Sequence, residues 1–230
     1  MSLYLRFLSL ALSTTVIGVS LFTAGCGDEH RSRLRVVHAS PDAPNVDVLV
    51  DGKTVVSNAP YETASGYLKV GSGTRHVEVR ATGGTSDVID ARPSFSTNRD
   101  YTILAVNTLA NIEPLVLTDD NAAPAAGQIK LRLVHAAPSA GPVDIYVEAP
   151  GTDITTVSPT LTNVPFKGVS DYLGVAAGSY EVFITPTGSK TIAIDSGALT
   201  LTAGQIRTAV ALDKLNGGTP LTAIVLSDRN

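Results

Sequence analysis

Leu34-Arg35-Val36-Val37-His38-Ala39-Ser40-Pro41-Asp42-Ala43-Pro44-Asn45-Val46-Asp47-Val48-Leu49-Val50 has a second version in the same chain. It reads Leu131-Arg132-Leu133-Val134-His135-Ala136-Ala137-Pro138-Ser139-Ala140-Gly141-Pro142-Val143-Asp144-Ile145-Tyr146-Val147 and aligns without a gap. More than half of the paired positions are identical. Self-similarity of this kind sets the architecture before any local propensity is weighed. Downstream, Asn58-Ala59-Pro60-Tyr61 answers Asn163-Val164-Pro165-Phe166, and Ser65-Gly66-Tyr67-Leu68 answers Ser170-Asp171-Tyr172-Leu173. Tyr101–Val106 corresponds to Arg207–Leu212, and the copies close on Leu115-Val116-Leu117-Thr118-Asp119 and Ile224-Val225-Leu226-Ser227-Asp228. Extra residues around Pro150 to Thr162 predict a longer loop in the second copy, where insertion is tolerated. A small, Pro-containing stretch separates the two. The expected boundaries are 32–121 for copy one, 122–127 for a linker and 128–230 for copy two.

Within each copy the pattern is that of strands. Val46, Val48 and Val50 alternate with Asp47, Leu49 and Asp51, and Asp51-Gly52 is a strong hairpin turn. His76-Val77-Glu78-Val79-Arg80 alternates apolar with polar, as a strand with one wet face does. Tyr180–Ile184 and Thr191–Ile194 flank a turn at Pro186-Thr187-Gly188-Ser189. Turn signals every ~8–12 residues predict an all-β fold: two tandem antiparallel β-sandwiches of about seven strands each, immunoglobulin-like or transthyretin-like in outline.

The 230 residues are 43% hydrophobic and 17% charged, a globular composition, and the net charge of -4 argues against nucleic-acid partners. The N-terminus differs from the rest. Arg6 precedes an uncharged apolar run from Phe7 to Phe22, then small residues, then Cys26, the only cysteine. A basic start, an apolar middle too short to span a bilayer and a small-residue exit predict a signal peptide over 1–25. Ala24-Gly25-Cys26 resembles a bacterial lipobox, although Thr23 stands where Leu is usual. The resemblance implies lipid attachment at Cys26, a polar tether over 26–31 and an exported chain anchored in the cell envelope. Gly27 after the cysteine favours the outer membrane.

The repeated opening motif, with Tyr67-Leu68 and Tyr101-Thr102, resembles the bacterial domain-of-unknown-function family 4397, once per copy. Copy two departs from it at Ser139, Gly141 and Pro142. The resemblance implies an extracytoplasmic β-sandwich, often in tandem and often on lipoproteins or secreted proteins. It supplies no catalytic residues.

Candidate chemistry rests on three repeated pairs. His38 and His135 could serve as general bases oriented by Asp47 and Asp144, which would make the chain an envelope hydrolase. No nucleophile elbow accompanies them, so capping of a strand end is the favoured role. Asp42, Asp47 and Asp51 gather oxygen ligands suited to calcium, but copy two loses two of the three, and no metal or cofactor is expected. Tyr67 and Tyr172 suit either a stacking platform for carbohydrate or corner packing. The expectation is a non-enzymatic binding or structural module, attached to the membrane by its anchor and partnered by an envelope polysaccharide or protein.

Overall fold

Strand-forming residues and tight turns dominate the chain, and the computed structural model describes residues 31–228. Copy one contributes β1 (Arg31–Ala39), β2 (Val46–Val50), β3 (Lys53–Ala59), β4 (Leu68–Gly71), β5 (Gly73–Thr74), β6 (Val77–Ala81), β7 (Asp87–Ala91), β8 (Ser94–Phe95), β9 (Asp100–Val106) and β10 (Glu113–Asp119). Copy two contributes β11 (Gln128–His135), β12 (Val143–Glu148), β13 (Leu161–Val164), β14 (Leu173–Ala176), β15 (Gly178–Pro186), β16 (Ile194–Leu201), β17 (Ile206–Leu212) and β18 (Thr222–Ser227). Residues 1–30, with the expected signal peptide, Cys26 and nearly all of the tether, lie outside the described part. Among the described residues no helix is long and apolar enough to cross a membrane.

Each copy builds two four-stranded sheets. In copy one their orders are β10-β9-β1-β4 and β3-β2-β6-β7; in copy two, β14-β11-β17-β18 and β13-β12-β15-β16. The Asp51-Gly52 turn forms with both residues at positive φ (52° and 75°), the geometry that matches the twist of the β2–β3 hairpin. No ladder joins a strand of residues 31–119 to one of residues 128–227.

One sheet of each copy is mixed, which corrects the expectation of purely antiparallel ones; the β3-β2-β6-β7 and β13-β12-β15-β16 sheets are antiparallel throughout. β1 runs parallel to β9 and β11 parallel to β17, each pair in unbroken register. Periodic turn signals report hairpins between consecutive strands, whereas β1 meets β9 only after the intervening chain has built a second sheet. Two local readings also change. Glu78, expected on a wet face, is 6% exposed and receives a hydrogen bond from Arg80 Nη2. Thr191–Ala193 precede a strand that instead runs from Ile194 to Leu201.

Three apolar clusters explain the stack. One lies between the sheets of copy one, around Leu34, Val36, Val48, Val79 and Ile103. A second lies between those of copy two, around Leu131, Leu133, Ile145 and Ile184. The third joins the copies: Val37, Ala39, Leu104, Val106 and Leu117 meet Val134, Ala136, Val210, Leu212 and Leu226. The β1/β9 sheet therefore presents one face to its own core and the other to copy two. Tyr101, Ile103 and Ala105 point inward while Leu104 and Val106 point across, so every residue of β9 is buried. A strand covered on both faces needs a near-continuous apolar run, and Tyr101–Val106 is one.

Candidate functional site

Arg35 lies on the crossing face of β1, in the same position as Arg132 on β11. Both are almost completely buried, at 2% and 3% exposure. Such a cation is tolerated only when it is paired and its donors are satisfied. The pairing is crossed between the copies. Arg35 Nη2 donates to Asp228 Oδ1 at 2.6 Å and Arg132 Nη2 donates to Asp119 Oδ1 at 2.6 Å. Arg35 Nη1 donates to the Ser227 carbonyl and Arg132 Nη1 to the Thr118 carbonyl. Each Nε reaches a threonine of its own copy: Arg35 to Thr102 Oγ1 at 3.0 Å, Arg132 to Thr208 Oγ1 at 3.1 Å.

Tyr67 and Tyr172 complete this arrangement. Tyr67 Oη donates to Asp119 Oδ2 at 2.6 Å, and Thr102 Oγ1 donates to the same oxygen at 2.7 Å. Tyr172 Oη and Thr208 Oγ1 both donate to Asp228 Oδ2 at 2.8 Å. The Tyr67 ring lies beneath the Arg35 guanidinium at 4.9 Å and Tyr172 beneath Arg132 at 4.7 Å, within cation–π range. Burial, reinforced by the Asp119 carboxylate, pushes the Tyr67 phenol far above its ordinary pKa. Burial does the same to Tyr172 against the opposing pull of Arg132. Both phenols are therefore neutral donors. Two guanidinium cations and two carboxylates close a net-neutral cluster between the copies.

The repeated histidines lie three residues further along the same strands. His38 is 1% exposed and His135 is fully buried. His38 Nε2 faces the Pro44 carbonyl at 3.0 Å, which can only accept, so Nε2 carries the proton. Its Nδ1 then accepts a long contact from the Ser40 N–H at 3.4 Å. His135 repeats this with the Gly141 carbonyl at 3.1 Å and the Ala137 N–H at 3.4 Å. Tyr61 and Phe166 pack edge-on against the two imidazoles. Burial lowers both histidine pKa values, against the opposing effect of each carbonyl.

The aspartates are not hydrogen-bonded to these histidines. Asp47 Oδ1 accepts from the Asn58 N–H at 2.7 Å and from Thr82 Oγ1 at 3.1 Å. The Asn58 N–H is the main cause holding the Asp47 carboxyl below its usual range. Asp144 accepts from the Asn163 N–H at 2.8 Å and the Gly188 N–H at 2.9 Å. Asn58 and Asn163 both adopt positive φ (52° and 53°), so each aspartate clamps a left-handed turn, a conformation asparagine tolerates better than most residues. Asp42 and Asp51 serve other backbone groups, the N–H of Leu109 and of His76. Among the described residues no group of three or more His, Cys, Asp or Glu is arranged to hold a metal ion.

The residues that sequence reading missed are Arg35, Arg132, Asp119, Asp228, Thr102 and Thr208. For the two arginines the signal is a charge inside an otherwise apolar strand, repeated in both copies.

These elements define an all-β protein of two repeated double-sheet units joined through an apolar and ionic interface. The family model for DUF4397, a domain of unknown function, matches residues 32–146 and 147–230, and the chain belongs to that family. The two matched segments meet inside β12. No curated protein matches the chain. Among solved structures it is similar to CBMbc, of family CBM26, from Eubacterium rectale in complex with maltoheptaose. That similarity has 11% identity, covers 86% of this chain and 98% of the other, and has a TM-score of 0.28. A candidate cell adhesion protein from Bacteroides fragilis is 12% identical over 85% of this chain and 97% of its own, with a TM-score of 0.23. A leucine-rich repeat protein from Bacteroides thetaiotaomicron is 15% identical over 82% of this chain and 27% of its own, with a TM-score of 0.21.

Proposed function

We propose that this chain is a cell-envelope lipoprotein acting as a non-enzymatic binding or structural module. In this reading residues 1–25 are removed and Cys26 carries lipid at the outer membrane. Residues 32–121 and 128–230 form the two domains, immunoglobulin- or transthyretin-like in outline, joined by 122–127. The partner is an envelope polysaccharide or another envelope protein, met by loops at the ends of the sheets, where such folds commonly carry recognition.

One observation carries the non-enzymatic part. His38 and His135 have both ring nitrogens engaged by backbone, and Asp47 and Asp144 hold turns instead of orienting them. A general base must have a free nitrogen within reach of a substrate proton. Here the repeated histidines fix the Pro44 and Gly141 loops to the strand ends, and Tyr67 and Tyr172 hold the carboxylates of their own copies, Asp119 and Asp228, that the arginines of the opposite copies meet.

Mass spectrometry of the protein taken from its own envelope tests the anchor: a diacylglyceryl-modified, acylated Cys26 as first residue is expected. An unmodified Cys26, or cleavage elsewhere, overturns that part. For the module, His38→Asn and His135→Asn should lower the melting temperature while leaving binding to purified envelope polysaccharide or protein fractions unchanged. Loss of a hydrolytic activity at unchanged stability would overturn it in favour of an enzyme.

A further inference from the structure

The start of β1 gathers cations. Arg31 and Arg33 lie on it, Lys69 of β4 stands opposite Arg33, and the Arg99 carbonyl accepts from the Arg33 N–H at 3.0 Å. With Asp100 these residues line an open recess of about 270 Å³. Arg31, Lys69 and Arg99 are exposed and Arg33 is half-buried. Carboxylates answer them only in part. Asp100 accepts from Arg33 Nε at 2.7 Å and from Asn121 Nδ2 at 2.7 Å. Asp120 accepts from Lys130 Nζ at 2.6 Å and lies in the field of Arg99. Five cations thus face two carboxylates in a chain whose net charge is -4. The opposite end of the same sheet carries carboxylates: the Glu62 N–H donates to the His38 carbonyl, and Glu113, opposite Val106, is met by Lys167.

The fold does not demand the basic cluster. In copy two the Gln205 carbonyl accepts from the Lys130 N–H at 3.0 Å, and Gly174 stands opposite Lys130. Arg31, Lys69 and Arg99 are therefore matched by Gln128, Gly174 and Gln205, and only Arg33 keeps a cation, as Lys130. Arg35 and Arg132, which bind the copies together, are present in both. The surplus charge belongs to the copy that follows the tether. Five residue steps connect Cys26 with Arg31, so their Cα atoms stand at most about 18 Å apart. An anionic membrane surface attracts Lys and Arg that come within roughly a Debye length, ~8 Å at physiological salt.

We propose that the basic start of β1 is a membrane-contact surface that binds the anionic phosphate headgroups of the leaflet holding the anchor, with the Glu62 and Glu113 end turned away from the bilayer. The inference rests on the lipid anchor proposed above, which brings this surface within reach of the headgroups.

The mature protein, purified from its envelope, is reconstituted on vesicles of phosphatidylcholine alone or of phosphatidylcholine and phosphatidylglycerol in equal parts. Amine acylation of Lys69 and of Lys214, near the far end, is followed by mass spectrometry, which also reads Cys26. Lys69 should be labelled roughly threefold more slowly on the phosphatidylglycerol vesicles, and Lys214 equally on both. The difference should vanish near 1 M salt, where screening leaves a range of ~3 Å. Arg31→Gln with Arg99→Gln, the residues of copy two, should keep the wild-type melting temperature and lose most of the Lys69 protection. If that variant does not fold, the salt series on the wild type decides. Equal labelling of Lys69 on the two vesicle types overturns the contact whatever Cys26 carries. An unmodified Cys26 with Lys69 still protected removes the anchor and leaves the contact standing. Equal protection by inorganic phosphate without vesicles would assign the recess to a free anion and overturn the membrane contact.

Discussion

At the scale of single residues, Arg35 and Arg132 show how burial turns a charge into a positional constraint. A buried ion pair gives little net stability, because desolvation offsets the attraction, but removing one partner strands the other. Arg35→Met would leave Asp228 with the neutral donors of Thr208 and Tyr172 and no cation in hydrogen-bond contact. The expected loss is ~3–5 kcal/mol by urea denaturation. Arg35→Met with Asp228→Leu should recover most of it. Equal losses from the single and double variants would mean that the pairing itself is not what Arg35 supplies. The histidines give a second expectation with a definite sign. Burial holds both below their ordinary pKa of 6.5, so just below that value the unfolded chain takes up protons that the folded chain refuses. This stability is fully present above pH ~6.5 and is lost as pH falls through the folded pKa values, at no more than ~1.4 kcal/mol per pH unit for each histidine. Melting temperature should fall between pH 7 and pH 5, and the His38→Asn/His135→Asn variant should show a flatter profile. A wild-type profile as flat as that of the variant would count against it.

At the scale of strands, legibility followed the distance along the chain over which each element is decided. The β2–β3 turn was readable because Asp51-Gly52 settles it locally. The parallel pairing of β1 with β9 was not, because its partners Arg33 and Asp100 stand 67 residues apart in the chain, with the second sheet between them. The exchange of Thr191–Ala193 for Ser196–Leu201 as strand has the same origin: Tyr180 and Glu181 on β15 select Leu199 and Ala198 as partners beyond a bulge. The repeated histidines, aspartates and tyrosines were visible as positions, but their partners were not. Tyr67 preceded an apolar residue in sequence, yet its hydroxyl is answered by Asp119 at the far end of the copy. Evidence for the inter-copy face was nevertheless present. A sandwich strand with one wet face alternates, whereas Leu34–Ala39 and Tyr101–Val106 are apolar on both parities apart from Arg35, His38 and Thr102. Such runs imply cover on both faces, and the lone arginine marks where that cover carries an opposite charge.

At the scale of the molecule, the crossed pairs make the interface self-complementary: Arg35 meets Asp228 as Arg132 meets Asp119, and the Ser227 carbonyl is matched by that of Thr118. This is the pattern of an isologous two-fold contact, here closed within one chain. Further contacts between the copies break the symmetry, among them Lys167 Nζ on Glu113, Tyr61 Oη on the Asp213 carbonyl and the Asn216 N–H on the Pro41 carbonyl. Opening the interface would expose the whole third apolar cluster together with two unpaired guanidinium groups and two carboxylates. An intermediate with one copy folded and the other unfolded carries that cost in full, so such intermediates should be scarce. Calorimetry should give one transition whose calorimetric and van't Hoff enthalpies agree. Leu104→Ala, on the crossing face of copy one, should destabilise by ~2–5 kcal/mol. Amide exchange should show β17 of copy two losing protection together with β9 of copy one. Two resolved transitions, or protection of β17 that ignores the copy-one substitution, would mean that the repeats fold as separate units and that the crossed charges do not couple them.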